Sequence, residues 1–258
     1  MILVSWLAMS AVMAVLWLIQ RRTGDAGIVD LAWGLGVGIL AAVFAGFSFD
    51  GDLVRRWVVG GCALLWALRL SGHIGVRLMT LPEDGRYQKL KQQWGASAQS
   101  KMFVFYQVQA IGSVLFALPM LVAANSSAPW GWFDWAGLAV WCTSLGGEAW
   151  ADRQLARFRA DPARHGQVCQ IGWWRYSRHP NYFFEWLHWW SYVLWSAAAP
   201  WGWLTILAPA AMLYLLLRVT GIPPTEAQAV RSKGDAYREY QRTTSALIPW
   251  PPKAGVGR

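Results

Sequence analysis

Residues 27–49, GIVDLAWGLGVGILAAVFAGFSF, carry a single charge, Asp30, in an otherwise apolar run. A helix rising 1.5 Å per residue needs about 20 such residues to cross the ~30 Å hydrocarbon layer of a bilayer. This run is long enough, and it lacks the period-two polarity of an outer-membrane strand. Working outward, six more stretches qualify: Ile2–Ile19, Trp57–Met79, Phe103–Ala124, Trp132–Ala151, Asn181–Ala198 and Trp201–Val219. The first has neither a basic start nor a clear cleavage site, so it reads as a span and not as a removed signal peptide. The seven runs predict an all-α integral membrane protein, a seven-transmembrane-helix bundle. Composition agrees, because the 258-residue chain is 55% hydrophobic and 14% charged, against about 25% charged in a soluble domain. Twenty tryptophans exclude a disordered chain. Cys62, Cys142 and Cys169 form no CxxC pair and have no histidine at ligand spacing, so neither a disulfide scaffold nor a metal site is expected.

Charge orients this bundle. Nineteen of the 23 Lys and Arg residues fall in loops 20–26, 80–102 and 152–180 and in the tail 218–258, which an odd number of spans places on one side. The connections near 125–131 and 199–201 carry none. By the positive-inside rule the basic side is cytoplasmic, with the N-terminus outside and the C-terminus inside. The net charge of +9 is therefore an orientation marker, and nucleic acid is not an expected partner. Trp57, Trp130, Trp132, Trp201 and Trp203 at span ends fit an interfacial aromatic belt.

Ionisable groups within spans are costly and usually face a partner or a cavity. Asp30 lies in the second span. Arg69, His73 and Arg77 recur every fourth residue along one face of the third. Glu148 closes the fifth, and Glu185 and His188 lie in the sixth. Two readings stand: a polar clamp between helices, such as Asp30 against Arg69, or a polar pocket open to the basic side. The segment 152–181, DRQLARFRADPARHGQVCQIGWWRYSRHPN, holds six arginines with Tyr176 and two histidines. Guanidinium forks and aromatic faces suit a phosphate-bearing nucleotide; the other reading is a basic loop lying on anionic headgroups of membrane lipids. Asn181 and Glu185, four apart on one helix face, favour the nucleotide. In the tail, Pro223 and Pro224 break the last span. Thr225–Arg242 then predicts one amphipathic helix capped by Thr225, in which Tyr237, Tyr240 and Arg242 can close over a nucleotide or rest on the membrane. The run GLGVG at 34–38 lies inside a span and serves helix packing.

The stretches WRYSRHPNYFFE (174–185) and YREYQRTTSALIPW (237–250) resemble the steroid 5α-reductase family, and most closely its bacterial membrane branch; the resemblance runs over roughly 72–251. It implies a single membrane domain over 1–258 in a bacterial inner membrane, with an NADPH-binding C-terminal half at about 80–258 and substrate-cavity helices at about 1–80. The implied activity is transfer of hydride from NADPH to the 4,5 double bond of a 3-oxo-Δ4-steroid or a similar lipophilic enone. By position, the family's cofactor residues fall on Arg86, Tyr87, Asp152, Arg159, Asn181, Glu185, Arg218 and the tail tyrosines. With Tyr176, Arg178, His179 and Arg242 from the basic loop and tail, these complete the expected cofactor set. The family's carbonyl-holding Gln-Glu pair does not align cleanly, and Asp30 and His73 stand nearest to it; with Glu185 they are the expected catalytic residues. The RHPNY motif also resembles isoprenylcysteine carboxyl methyltransferases, which implies an alternative use of S-adenosylmethionine. A transporter or lipid-binding bundle is the non-enzymatic reading, and the absence of an internal repeat counts against it.

Overall fold

The computed structural model describes residues 1–80 and 82–253. Leu81 and the end of the basic tail, 254–258, lie outside the described residues. No strand forms among the described residues; helices account for nearly all regular structure, with one isolated parallel bridge between Ser177 and Ser245. Five helical segments are long and apolar enough to cross a membrane: Ile2–Thr23, Ile28–Phe47, Leu53–Thr80, Gly85–Ala124 and Gly202–Lys233. This is the architecture of a multi-pass membrane protein. The remaining expected spans also form helices, at Trp132–Ala160 and Pro180–Trp195. They are interrupted by polar groups, among them Asp134 and Glu148 in the first and Glu185 and His188 in the second. The chain divides into two compact units, Met1–Asp134 with Trp195–Thr205, and Trp135–Leu194 with the residues from Ile206 onward.

The first unit comprises α1 (Ile2–Thr23), α2 (Ile28–Phe47), α3 (Leu53–Thr80), α4 (Gly85–Trp94) and α5 (Ala98–Ala124). Helix α2 packs on α3 and α5, and α1 on α5. In lipid, burial of apolar surface does not drive helices together, so close approach matters. Small residues supply it: a Cβ on Gly38 would stand 2.3 Å from the Ala67 Cβ, and one on Gly60 would stand 2.9 Å from the Ala45 Cβ. The GLGVG run thus serves helix packing, as its position implied. The core gathers Met9, Met13, Phe44, Tyr87, Met102 and Tyr106, while Leu3, Leu7, Val12, Val15 and Leu18 leave one face of α1 apolar and exposed, a surface suited to hydrocarbon.

Two of the four arginines outside the basic segments, Arg55 and Arg56, have local explanations. Arg56 donates to the carbonyls of Ala45 (2.8 Å) and Gly46 (2.9 Å), which the end of α2 leaves without helical partners. Arg55 is buried. Its Nε and Nη2 meet the two oxygens of Asp134 at 2.6 and 2.7 Å, and its remaining donors reach the carbonyls of Ser126, Ala128 and Pro129. The side chains are only 2% and 5% exposed. Asp134 also accepts from the Gly131 N–H at 2.9 Å, so the charge pair carries almost its full complement of hydrogen bonds.

The second unit comprises α6 (Trp132–Ala160) from Trp135 onward, α7 (Pro180–Trp195) up to Leu194, α8 (Leu207–Tyr214), α9 (Ile222–Lys233) and α10 (Asp235–Thr243). Helices α6 and α7 approach at Gly147, where a Cβ would meet the Phe184 ring at 2.4 Å. The Trp186 indole donates to the Pro209 carbonyl at 3.1 Å and ties α7 to α8. After α8 the backbone widens into a π-turn over Leu215–Val219, closed by Thr220 N–H donating to Leu215 O at 2.9 Å. The single helix expected over 225–242 is corrected on two counts. Pro223 and Pro224 occupy the first turn of α9, where a missing N–H is harmless, so the helix begins at Ile222 and Thr225 donates back to the Gly221 carbonyl instead of capping. Gly234, at φ +56°, then separates α9 from α10.

Candidate functional site

Two polar clusters form, one in each unit. In the first unit, α4 is pinned by three carboxylates. Asp84 caps it, accepting from Arg86 N–H at 2.8 Å, and pairs with Arg77 at 2.6 Å and Arg86 at 3.1 Å. Glu83 accepts from the Ala26 N–H at 2.8 Å and pairs with Lys91 at 2.6 Å; Lys91 in turn donates to Gly24 O at 2.6 Å. Asp30, on the first turn of α2, receives the Tyr87 hydroxyl on Oδ1 at 2.6 Å and Arg86 Nη2 on Oδ2 at 3.0 Å. Burial works against ionisation of Asp84, but the hydrogen bonds and charge of Arg86, with Arg77 beyond, outweigh it and hold the carboxyl below its ordinary value.

Three expected residues, Asp30, Arg86 and Tyr87, thus come together. His73 does not join them: it is exposed on α3 and forms no hydrogen bond with Asp30 among the described residues. Asp30 meets α4 in place of an arginine of α3, because Gly85 and Arg86 follow the Asp84 cap and turn the first face of α4 towards α2. Tyr87 is buried against the Phe105 ring edge, with centroids 5.9 Å apart, and this packing directs its hydroxyl at Asp30.

In the second unit, Asn181 Nδ2 donates to Asp152 Oδ1 at 3.1 Å, joining the start of α7 to α6. One turn on, Glu185 accepts from the Trp189 indole at 3.2 Å. The loop before α7 is fixed by Trp174, whose indole donates to Ala151 O at 2.9 Å. Gly172, at φ +55°, lets the Trp173 N–H reach Gln154 Oε1 at 3.0 Å. Two of the expected cofactor residues, Arg178 and His179, hold the tail. Arg178 donates to Glu226 at 2.6 Å, to Gln241 O at 3.0 Å and to Thr244 O. His179 lies 3.3 Å from the same Glu226 oxygen and stacks on Tyr182. Gln241 donates to the other Glu226 oxygen at 2.8 Å, so Glu226 is the hub of the tail. The Tyr240 hydroxyl donates to the carbonyls of Trp174 and Ser177. Burial first of all raises Tyr237 and Tyr240 above the ordinary phenol value, keeping both as neutral donors. Arg242 is exposed and pairs with Glu239, Arg218 is exposed in the π-turn, and Tyr176 is exposed with its carbonyl accepting from Trp250 N–H at 2.9 Å.

Arg159 is different. It lies at the end of α6 within electrostatic reach of Lys233, and both act on Cys169, as does Arg164. Burial pushes the Cys169 thiol up, while the Ile171 N–H and then these cations pull the other way. Lys233 escaped the sequence reading because nothing in linear order links residue 233 to residue 159. Nothing in linear order links Glu226 to Arg178 either, 48 residues away.

A family described as Protein of unknown function (DUF1295) matches residues 16–244. The chain belongs to that family. No curated protein and no solved structure matches it. The DUF1295 match spans both polar clusters, from Asp30 through to Arg242.

Proposed function

We propose that this DUF1295 protein is a membrane enzyme that reduces the carbon–carbon double bond of a lipophilic enone with NADPH, the 4,5 double bond of a 3-oxo-Δ4-steroid being the type substrate. The observation that carries the reading is the Tyr87 hydroxyl held 2.6 Å from Asp30, with Arg86 on the other carboxylate oxygen at 3.0 Å, at the head of an apolar helix. NADPH, when bound, supplies a hydride. Addition at the β carbon of an enone builds negative charge on the carbonyl oxygen, and a positioned donor there lowers the barrier. Tyr87 becomes that donor when its O–H rotates from Asp30 to the carbonyl oxygen of the bound enone, and Arg86, beside it, compensates the developing charge and keeps Asp30 partnered. A proton from solvent water then joins the α carbon, leaving a saturated ketone and oxidised cofactor.

Among the second unit's residues, Asn181 and Glu185 suit the nicotinamide amide: the carboxylate accepts from its nitrogen and the Asn amide can donate to its oxygen. Arg159 suits a phosphate, whereas Arg178 is committed to Glu226 and the tail. The proposed topology is seven spans in a bacterial inner membrane, N-terminus outside and basic loops cytoplasmic, with α6 and α7 supplying the spans beyond the five apolar segments. The test is thermal stability of the purified protein with NADPH, NADH or S-adenosylmethionine, followed by NADPH oxidation with progesterone. Stabilisation by NADPH and turnover are expected; stabilisation by S-adenosylmethionine alone would turn the assignment to a methyltransferase.

A further inference from the structure

Gln20 and Gln107 both lie where α1 meets α5, and their amides fare differently. Gln107 accepts from the Ser10 hydroxyl and donates to the Ser10 carbonyl at 3.4 Å. Gln20, in the last turn of α1, is only 1% exposed, yet neither its Nε2 nor its Oε1 has a hydrogen-bond partner among the described residues. A buried carboxamide without partners has given up its bonds to water and gained nothing, and an apolar side chain of the same shape would be more stable there. Something other than the fold must account for this glutamine.

Contacts on either side fix its surroundings. One turn earlier, the Trp17 indole donates to the Gln99 carbonyl at the start of α5 at 3.1 Å and meets the Phe103 ring edge-on, with centroids 5.0 Å apart. One turn later, Gly24 N–H donates to the Gln20 carbonyl, and the Gly24 carbonyl accepts from Lys91 of α4 at 2.6 Å. Gln20 is thus bracketed at the corner where α1 passes the junction of α4 and α5, Gly95–Ser97. That corner is apolar: Met13 and Trp17 of α1, Leu90 and Trp94 of α4 and Met102 of α5 belong to one cluster, and Tyr87 belongs to it too. Leu90 and Trp94 are only partly buried, so α4 is the side from which a lipophile reaches the amide. A carboxamide sets a donor beside an acceptor. An alcohol oxygen answers both, accepting from Nε2 and donating to Oε1. A ketone or an ionised carboxylate only accepts and leaves Oε1 unmet, and a hydrocarbon answers neither.

We propose that Gln20 recognises the hydroxyl of a lipophilic alcohol and, resting on the reductase reading above, that the enone substrate carries such a hydroxyl on the part remote from its double bond. The unpaired amide destabilises the empty protein, and the alcohol relieves it.

The experiment uses the detergent-purified full chain and three forms of one 3-oxo-Δ4-steroid, bearing a hydroxyl, a ketone or only hydrogen on the ring farthest from the enone. Binding without cofactor is read from tryptophan fluorescence, stability from thermal unfolding without ligand, and turnover from NADPH oxidation. Wild type should bind the hydroxylated form at least about tenfold more tightly than the hydrogen-only form, with the ketone between. Gln20→Met keeps the length of the side chain and removes both polar atoms. It should lose that preference and melt above wild type, a gain that a merely structural glutamine would not give. Gln107→Met, the control, should melt lower and keep the preference. If Gln20→Met melts below wild type, the amide is already satisfied by bound water and the proposal is overturned. Equal affinity for the three forms in wild type, failure to bind any of them, or a preference that survives Gln20→Met overturns it as well. Preference without NADPH oxidation would sink the reductase reading and leave the alcohol site standing; oxidation without preference would do the reverse.

Discussion

Replacing Asp134 with alanine isolates the energetic role of the Arg55 clamp. Arg55 is held by five donor contacts, two of them to Asp134 at 2.6 and 2.7 Å. Removing the carboxylate leaves three carbonyls to satisfy a buried guanidinium, and the Gly131 N–H also loses its acceptor. Breaking a buried pair from one side costs about 3–5 kcal/mol, because the surviving charge has neither water nor a counter-charge. Asp134→Ala should lie in that range. Arg55→Met/Asp134→Leu should be milder at the pair itself, since neither charge is stranded, although it leaves the carbonyls of Ser126, Ala128 and Pro129 short of donors, each worth about 1–3 kcal/mol when buried. The assay is reversible unfolding in mixed micelles, run on Asp134→Ala and on the singles Arg55→Met and Asp134→Leu beside their double variant. The reasoning fails if Asp134→Ala costs under about 1 kcal/mol, or if the double variant is as unstable as the two singles added together.

Three further outcomes follow from the geometry. Tyr87→Phe should lower kcat for enone reduction by about 10²–10³ while NADPH affinity stays put; normal turnover would remove Tyr87 as the donor. Gly172→Ala should destabilise by about 2–3 kcal/mol, combining left-handed backbone strain with loss of the Gln154–Trp173 hydrogen bond. The new Cβ would sit 2.1 Å from Gln154 Nε2, so adding Gln154→Ala should relieve the clash but not the strain, as read by thermal unfolding. Asp84 has a lowered carboxyl pKa, so its stabilising contribution is complete above the ordinary value of 3.8 and is lost as pH falls through the lower folded-state value; hydrogen exchange across α4 should therefore be flat in its Asp84-dependent part from pH 7 to about pH 5, and faster throughout that window in Asp84→Asn.

Apolar length was the most legible property. Runs such as 27–49 name their own helices because hydrocarbon leaves the backbone no other way to satisfy its polar groups. The α6 and α7 stretches were legible as helices too, yet their Trp, Glu and His content blurs how far they behave as spans. Long-range partnerships were not legible. Asp30 and Tyr87 are 57 residues apart, and both were named without being joined. The spacing of Arg69, His73 and Arg77 points to α3 as the partner of Asp30; Arg77 reaches the cluster through Asp84, and α4 supplies the partners of Asp30 itself. Arg178 was read as a phosphate ligand from its arginine-rich neighbourhood, since the acid that claims it, Glu226, lies 48 residues away. Lys233 and Cys169 were passed over because their company is assembled only by the fold.

The π-turn at Leu215–Val219 has a consequence for how this chain tolerates change in length. It contains one residue more than the α-helical ladder requires, and the wider turn absorbs that surplus, because about five residues at the π pitch turn through the same angle as about four at the α pitch. Deleting Leu217 would therefore let α8 run on in regular α geometry with the following segment near its present phase. A deletion within α8 itself has no such slack and would swing everything downstream by about 100° around the axis, one residue's share of a turn. Glu226 would then leave Arg178 and His179 would lose its acceptor, without any of these residues having been altered. The turn is thus the point at which this part of the chain gives up a residue most cheaply, and substitution of Leu217, whose side chain is exposed, should be tolerated as well.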